Sequence, residues 1–303
     1  MDLVQVGQLN EEQAREYLET IRWPEGPKCP HCSSLNATRL ADGKARPGTM
    51  QCNSCRQQFT VTVNTIMEDS HIPLNKWVLA FHLICSSKKG ISALQLQRNL
   101  GLGSYRTAWF MAHRIRHAFK KNPTSPTLKG IVEVDETYVG GKPRRSMSTS
   151  KKAPIGRGTK KVPVIALVER NGNVIAKPIA RVTGKNLKGA IREHVQKESR
   201  IVTDEFKSYV GIGREFDGGQ GTVRHGMLEY ARGADHVNTA ESYFALLKRG
   251  VIGAFHHVSK RHLHRYCDEF SFRWDNRKIN DGERTAEAIK GVEGKRLMYK
   301  EPA

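Results

Sequence analysis

No apolar run in this 303-residue sequence approaches the ~20 residues that would cross a bilayer, so no helical membrane span is expected. The first residues, MDLVQVGQLNEEQAREYLE, lack both the basic start and the apolar middle of a signal peptide, and a cytoplasmic protein is expected. Hydrophobic residues are sparse, 38% against 26% charged, which fits a soluble chain with large polar surfaces. Acidic residues are also in short supply: fifty Lys and Arg face thirty Asp and Glu, leaving a net charge of +20. A charge of that size selects nucleic acid or an anionic membrane as partner. A basic amphipathic helix with a bulky apolar face is missing, which removes the membrane. Charge alone does not separate DNA from RNA.

Cysteine is scarce, and its placement excludes a disulfide framework. Of six cysteines, Cys29, Cys32, Cys52 and Cys55 form two C-x-x-C pairs nineteen residues apart. Cys85 and Cys267 stand alone in helical patterns and read as buried small hydrophobes. The paired spacing is that of a zinc ribbon: each pair sits on a tight turn, and two turns joined by a small sheet close a tetrahedral site of four thiolates. One structural Zn2+ is expected there. His31, inside the first turn, reads as a surface residue because the four thiolates already fill the site.

The rest of the first half reads as helices. NEEQAREYLET at 10–20 starts on an Asn N-cap. Residues 74–120 hold three helical patterns, the second capped by Ser92 and ended by Gly101. The last two, separated by Gly-Leu-Gly-Ser, suggest a helix-turn-helix. Its final helix would bring Ser104, Tyr105 and Arg106 to base edges and Arg114, Arg116 and Lys120 to phosphates. Trp109, Phe110, Met111 and Ile115 read equally well as core of a three-helix unit.

After the Pro- and Thr-rich segment at 121–130 the pattern changes to strands. Ile131–Val134 is a β-rich run ending on Asp135, extended by Glu136–Val139 and broken by Gly140-Gly141, and Arg200–Thr203 is another ending on Asp204. Between them lie a cation-rich loop at 142–161, a hairpin around Asn171-Gly172, and a helix over 186–199. A further helix carries Asn238 and Glu241 three apart on one face, with Lys248 seven residues beyond Glu241 on the same face. This order argues for an α/β layer. It would put Asp135 and Asp204 side by side, with Glu241 swung in from a packed helix. Three carboxylates so close repel one another and need a cation. Hard divalent ions such as Mg2+ or Mn2+ take oxygen ligands of this kind. Two of them ~4 Å apart would serve phosphodiester cutting and joining. Glu136 and Glu205 are neighbours that strand alternation turns to the opposite face.

VDETYVGGK, VTDEFKSY, HVNTAESYFALLKRGVIGAFHHVS and DEFSFRWDNR are similar to the zinc-ribbon-bearing (ISXO-type) insertion-sequence transposases of bacteria. The resemblance covers nearly the whole chain. It implies a ribonuclease-H-like catalytic core, a mixed sheet flanked by helices, behind the ribbon and the helix-turn-helix unit. It implies Asp135 and Asp204 as the first two metal ligands and Glu241 as the third, with Asn238 as the alternative because some branches carry Asn there. Lys248 matches the basic residue that touches DNA, and Arg249 stands beside it. The expected partner is double-stranded DNA, both element ends and target, held by a homo-oligomer with no membrane association. The expected location is the bacterial cytoplasm, at the nucleoid. A non-catalytic DNA-binding regulator and a structure-specific nuclease are the competing readings. The expected domains are an N-terminal helix (1–24), the ribbon (25–70), the helix-turn-helix unit (71–122), the catalytic domain (129–280) and a tail (281–303).

Overall fold

The computed structural model describes residues 1–41, 43, 45–121, 128–140, 161–224, 227 and 231–299. The cation-rich loop expected at 142–161 lies almost wholly outside the described residues. The chain forms two compact units, one of residues 1–120 with 278–303 and one of residues 121–277. No helix among the described residues is long and apolar enough to cross a membrane.

In the first unit α1 (Leu3–Gly7) and α2 (Glu11–Arg22) precede a small antiparallel sheet of β1 (Ala37–Arg39), β2 (Met50–Cys52) and β3 (Gln58–Phe59). Ala37 pairs with Cys52 and Met50 with Phe59, which brings the two cysteine turns to one end of the sheet. Then come α3 (Leu74–Ser86), α4 (Ala93–Leu100) and α5 (Tyr105–Ala118). Local chemistry sets their ends. Asn10 caps α2 in a reciprocal box with Gln13, and Ser92 accepts from Gln95 N at the start of α4. Gly101 closes α4 at φ 56, a left-handed conformation that favours glycine. Trp77, Phe81, Ile84, Leu96 and Leu18 are fully buried here.

The expected tail is instead partly a helix. α9 (Asp281–Lys290) is capped by Asn280 and Glu283 and packs on α3, and Thr285 Oγ1 lies 3.2 Å from His82 Nδ1. Its apolar stripe is narrow, chiefly Ala288 and Ile289, so a polar sequence hides a buried face.

The second unit is a five-stranded mixed sheet in the order β6-β5-β4-β7-β8. Its strands are β4 (Ile131–Val139), β5 (Val162–Glu169), β6 (Val174–Pro178), β7 (Arg200–Asp204) and β8 (Gln220–Val223). β4, β5 and β6 form an antiparallel meander, with Asn171 at φ 63 in the β5–β6 turn. α6 (Gly184–His194) then crosses over so that β7 runs parallel to β4, and β8 runs parallel to β7. That order is the ribonuclease-H-like arrangement. Strand alternation divides the core. Val132, Val134, Ile165, Leu167 and Ile201 face α6. Val164, Ala166 and Val168 face α7 (Asn238–Gly250) and α8 (Leu263–Asp275) on the other side. The lone Cys85 and Cys267 are both buried, as expected of small hydrophobes. The aromatic and Cys-bearing stretch of α8 contributes Tyr266, Cys267 and Phe270 to this core.

Candidate active site

Two groups of potential metal ligands stand out. The thiols of Cys29, Cys32, Cys52 and Cys55 lie within 4.8 Å of one another. Cys29 Sγ is 3.7 Å from Cys55 Sγ, and Cys32 Sγ is 3.5 Å from Cys52 Sγ. A tetrahedron with Zn–S bonds of ~2.3 Å has edges of about 3.8 Å, so this spacing fits a single zinc ion. The backbone N–H of Cys55 favours the thiolate of Cys52 and outweighs burial, pulling that thiol down to about 6. His31 is exposed beside the cluster.

The second group is acidic. The β4–β7 register pairs Val132 with Ile201, Glu133 with Val202 and Val134 with Thr203. One step further along both strands, Asp135 falls beside Asp204. Side chains alternate, so both share the face of Glu133 and Val202, which is the face covered by α7. Glu241 sits in the first turn of α7 and is exposed. Asp135 Oδ1 accepts from Glu136 N at 2.7 Å, and Asp204 Oδ1 accepts from Phe206 N at 3.0 Å.

Burial is the main cause of the upward shift of the Asp135 carboxyl, which is pushed up to about 7, and the negative charges of Glu136, Asp204 and Glu241 add to it. A group that accumulates carboxylates at such cost fits a cation. Unlike the thiols, the three acids do not close to within 4.8 Å, and among the described residues only the cysteine group does. Glu136 turns to the opposite face, where Tyr209, itself buried, donates to Glu136 Oε2 at 2.6 Å. Asn238, Lys248 and Arg249 are exposed on α7, and Arg249 Nε donates back to Ala245 O at 3.1 Å.

The helical residues expected at DNA divide. Ser104, Tyr105 and Arg106 are exposed at the start of α5, where Ser104 also caps the helix. Arg114 is a correction: only 6% exposed, it donates to Glu68 O and lies 5.7 Å from the Trp77 ring centroid and 5.3 Å from that of Phe110. Its charge is committed to the core of its own unit, where the stacked guanidinium replaces water with ring faces. Arg116 is buried as well, and Lys120 is exposed.

Sequence reading missed the polar cluster behind the acids, made of Glu133, Arg170, His236 and Thr239. One signal was available: an acid in the middle of an apolar strand, two residues before Asp135 and hence on the same face. The other was Val237, a residue unable to cap the helix it precedes.

Fold and ribbon together define a class, an α/β protein of ribonuclease-H-like topology with an N-terminal four-cysteine ribbon. Residues 127–275 match the ISXO2-like transposase domain, and residues 9–58 match the transposase zinc-ribbon domain. The chain belongs to this family of insertion-sequence transposases. It is similar to a protein in transposable element ISH50 of Halobacterium salinarum, 29% identical over 277 residues that span 88% of this chain and 91% of that protein.

Proposed function

We propose that this chain cuts DNA at the ends of an insertion sequence and joins the freed 3′-hydroxyls to target DNA. The observation that carries this reading is the parallel register of β4 and β7, in which Asp135 and Asp204 fall side by side on the face crossed by α7. Asp135, Asp204 and Glu241 would hold two Mg2+ or Mn2+ ions. Such ions, when bound, activate a water or a 3′-hydroxyl and stabilise the leaving oxygen. Glu241 is preferred to Asn238 as the third ligand because a carboxylate binds a hard cation better than an amide. Its charge is also among those acting on Asp135. Lys248 and Arg249, on the same helix, would hold the DNA backbone beside the acids. Ser104, Tyr105 and Arg106 would meet the groove from α5. The four cysteines would hold one zinc ion that staples the ribbon. Two element ends must be held together for joining, so a homo-oligomer on DNA is expected.

Asp135→Ala, Asp204→Ala and Glu241→Ala should each lose cleavage and joining in Mg2+ by about a thousandfold or more, since such ions supply several kcal/mol of transition-state stabilisation. DNA binding by mobility shift should survive, and Asn238→Ala should keep measurable joining. Full strand transfer by Asp204→Ala would overturn the assignment. A native protein that binds DNA but never cuts it would be a regulator, and one that cuts without joining to a plasmid target would be a structure-specific nuclease.

A further inference from the structure

α7 carries Glu241, yet the helix cannot cap itself. Its N-cap position is Val237, which offers no acceptor. The first N–H groups of a helix need partners, and a negative charge there also meets the positive end of the helix dipole. Both come from another element. Glu133, fully buried in β4, accepts from Thr239 N at 2.7 Å and Ala240 N at 3.1 Å through Oε2. Its Oε1 accepts from Thr239 Oγ1 at 2.8 Å and from Arg170 Nε at 2.8 Å, and His236 Nδ1 lies 3.2 Å away. Every one of these bonds is donated to Glu133, so the position calls for a side chain that only accepts, which a carboxylate is and an amide is not.

The segment leading into α7 is held by the same network. Arg170 also donates to Ala234 O at 2.7 Å and to His236 O at 3.1 Å. Arg200, on β7, grips Asp235 with two bonds of 3.0 and 2.8 Å. Residues 234–240 are therefore tied to β4, to the end of β5 and to β7. Glu133 stands two residues before Asp135 on one strand face, and the last residue it holds, Ala240, immediately precedes Glu241.

We infer that Glu133 is a positioning residue: by capping α7 from β4 it fixes where Glu241 stands relative to Asp135 and Asp204. The inference rests on the acid-site reading above. It assigns to one buried carboxylate the coupling between strand and helix that a three-element site requires, because a displaced ligand cannot share an ion with the other two.

The test is iron-directed backbone cleavage of the full-length protein. Fe2+ substitutes for Mg2+, ascorbate and peroxide generate radicals at the bound ion, and the fragments are sized. The native protein should be cut near 135, 204 and 241. Glu133→Gln should keep the cuts near 135 and 204 and lose the cut near 241, with strand joining down roughly 10–100-fold. A variant that merely lost stability would weaken all three cuts together. Thr239→Val, which removes only the hydroxyl bond, should lower the 241 cut and joining in the same direction by a smaller factor, and it decides the matter if Glu133→Gln does not fold. Native-like cutting near 241 in Glu133→Gln, or in Thr239→Val where that variant decides, would overturn the inference and leave the acid site standing. A native protein cut at none of the three segments would overturn both.

Discussion

Cys29, Cys32, Cys52 and Cys55 come from two turns at the end of one small sheet, whereas Asp135, Asp204 and Glu241 come from two strands and a helix far apart in the sequence. The thiols already stand at the spacing of a tetrahedron, and the carboxylates do not close to the same degree. The thiols carry little charge between them, with Cys52 shifted down but Cys32 and Cys55 shifted up, so the ribbon can hold the shape of its site in its own turns. Carboxylates repel: burial is the main cause of the upward shift of Asp135, the charges of its neighbours add to it, and Glu241 stays exposed. The closed site suits an ion that stays and holds a fold together. The open one suits ions that must admit a substrate oxygen.

The sharpest way to break this contrast is Cys52→Ser. Structural zinc sites of this kind contribute roughly 10–16 kcal/mol of apparent binding energy, which is folding energy for the ribbon. The variant should release one zinc per chain and expose the ribbon to protease, while the 121–277 unit keeps its fold. Native metal content by mass spectrometry would show that the four cysteines do not hold an ion.

The same contrast explains what could be read from the sequence. The ribbon was legible because its ligands are local: a C-x-x-C turn carries its own geometry. The caps at Asn10, Ser92 and Gly101 and the Asn171 turn were legible for the same reason. The apolar runs that reach Asp135 midway along β4 and Asp204 at the end of β7 were visible, but their parallel register was not, because pairing across a crossover is a tertiary fact. Three residues escaped through the usual habit of placing charge on surfaces. Arg114 is paid for by ring faces and a carbonyl, Glu133 by four donated hydrogen bonds, and Arg116 is buried too. α9 was hidden by its polar composition.

Asp135→Asn tests the strain in the open site, and its sign is opposite to that of most buried substitutions. An ordinary aspartate loses its proton near pH 3.9, and folded Asp135 holds it to about 7. Between those values the folded chain binds the extra proton, so stability falls as pH rises through this window and stays low above it. Asparagine carries no such cost. In buffer free of Mg2+ but without chelator, so that zinc stays bound, Asp135→Asn should be more stable than the native chain at pH 8 by a few kcal/mol. The gap should close toward pH 4. Adding Mg2+ should narrow it at pH 8 by stabilising only the native protein. Equal melting of the two proteins at pH 8 without Mg2+ would mean that the ionised Asp135 carboxylate carries no such cost in the folded chain.

The smallest effect belongs to Lys248. Its side chain is exposed on α7, one face-repeat beyond Glu241, and makes no hydrogen bond or ion pair among the described residues. Arg249, by contrast, is turned back on Ala245 O. In the proposed site, such a lysine on the helix that carries Glu241 would meet one phosphate of the bound DNA. Each phosphate neutralised on duplex DNA contributes about −0.9 to the slope of log K against log salt. Lys248→Ala should therefore flatten that slope by about one and weaken binding to every DNA sequence alike, by less than tenfold near physiological salt. Zinc content and melting temperature should not move, since the residue supports neither metal site. A loss confined to one DNA sequence would instead make Lys248 a reader of bases, and an unchanged slope would remove it from the interface.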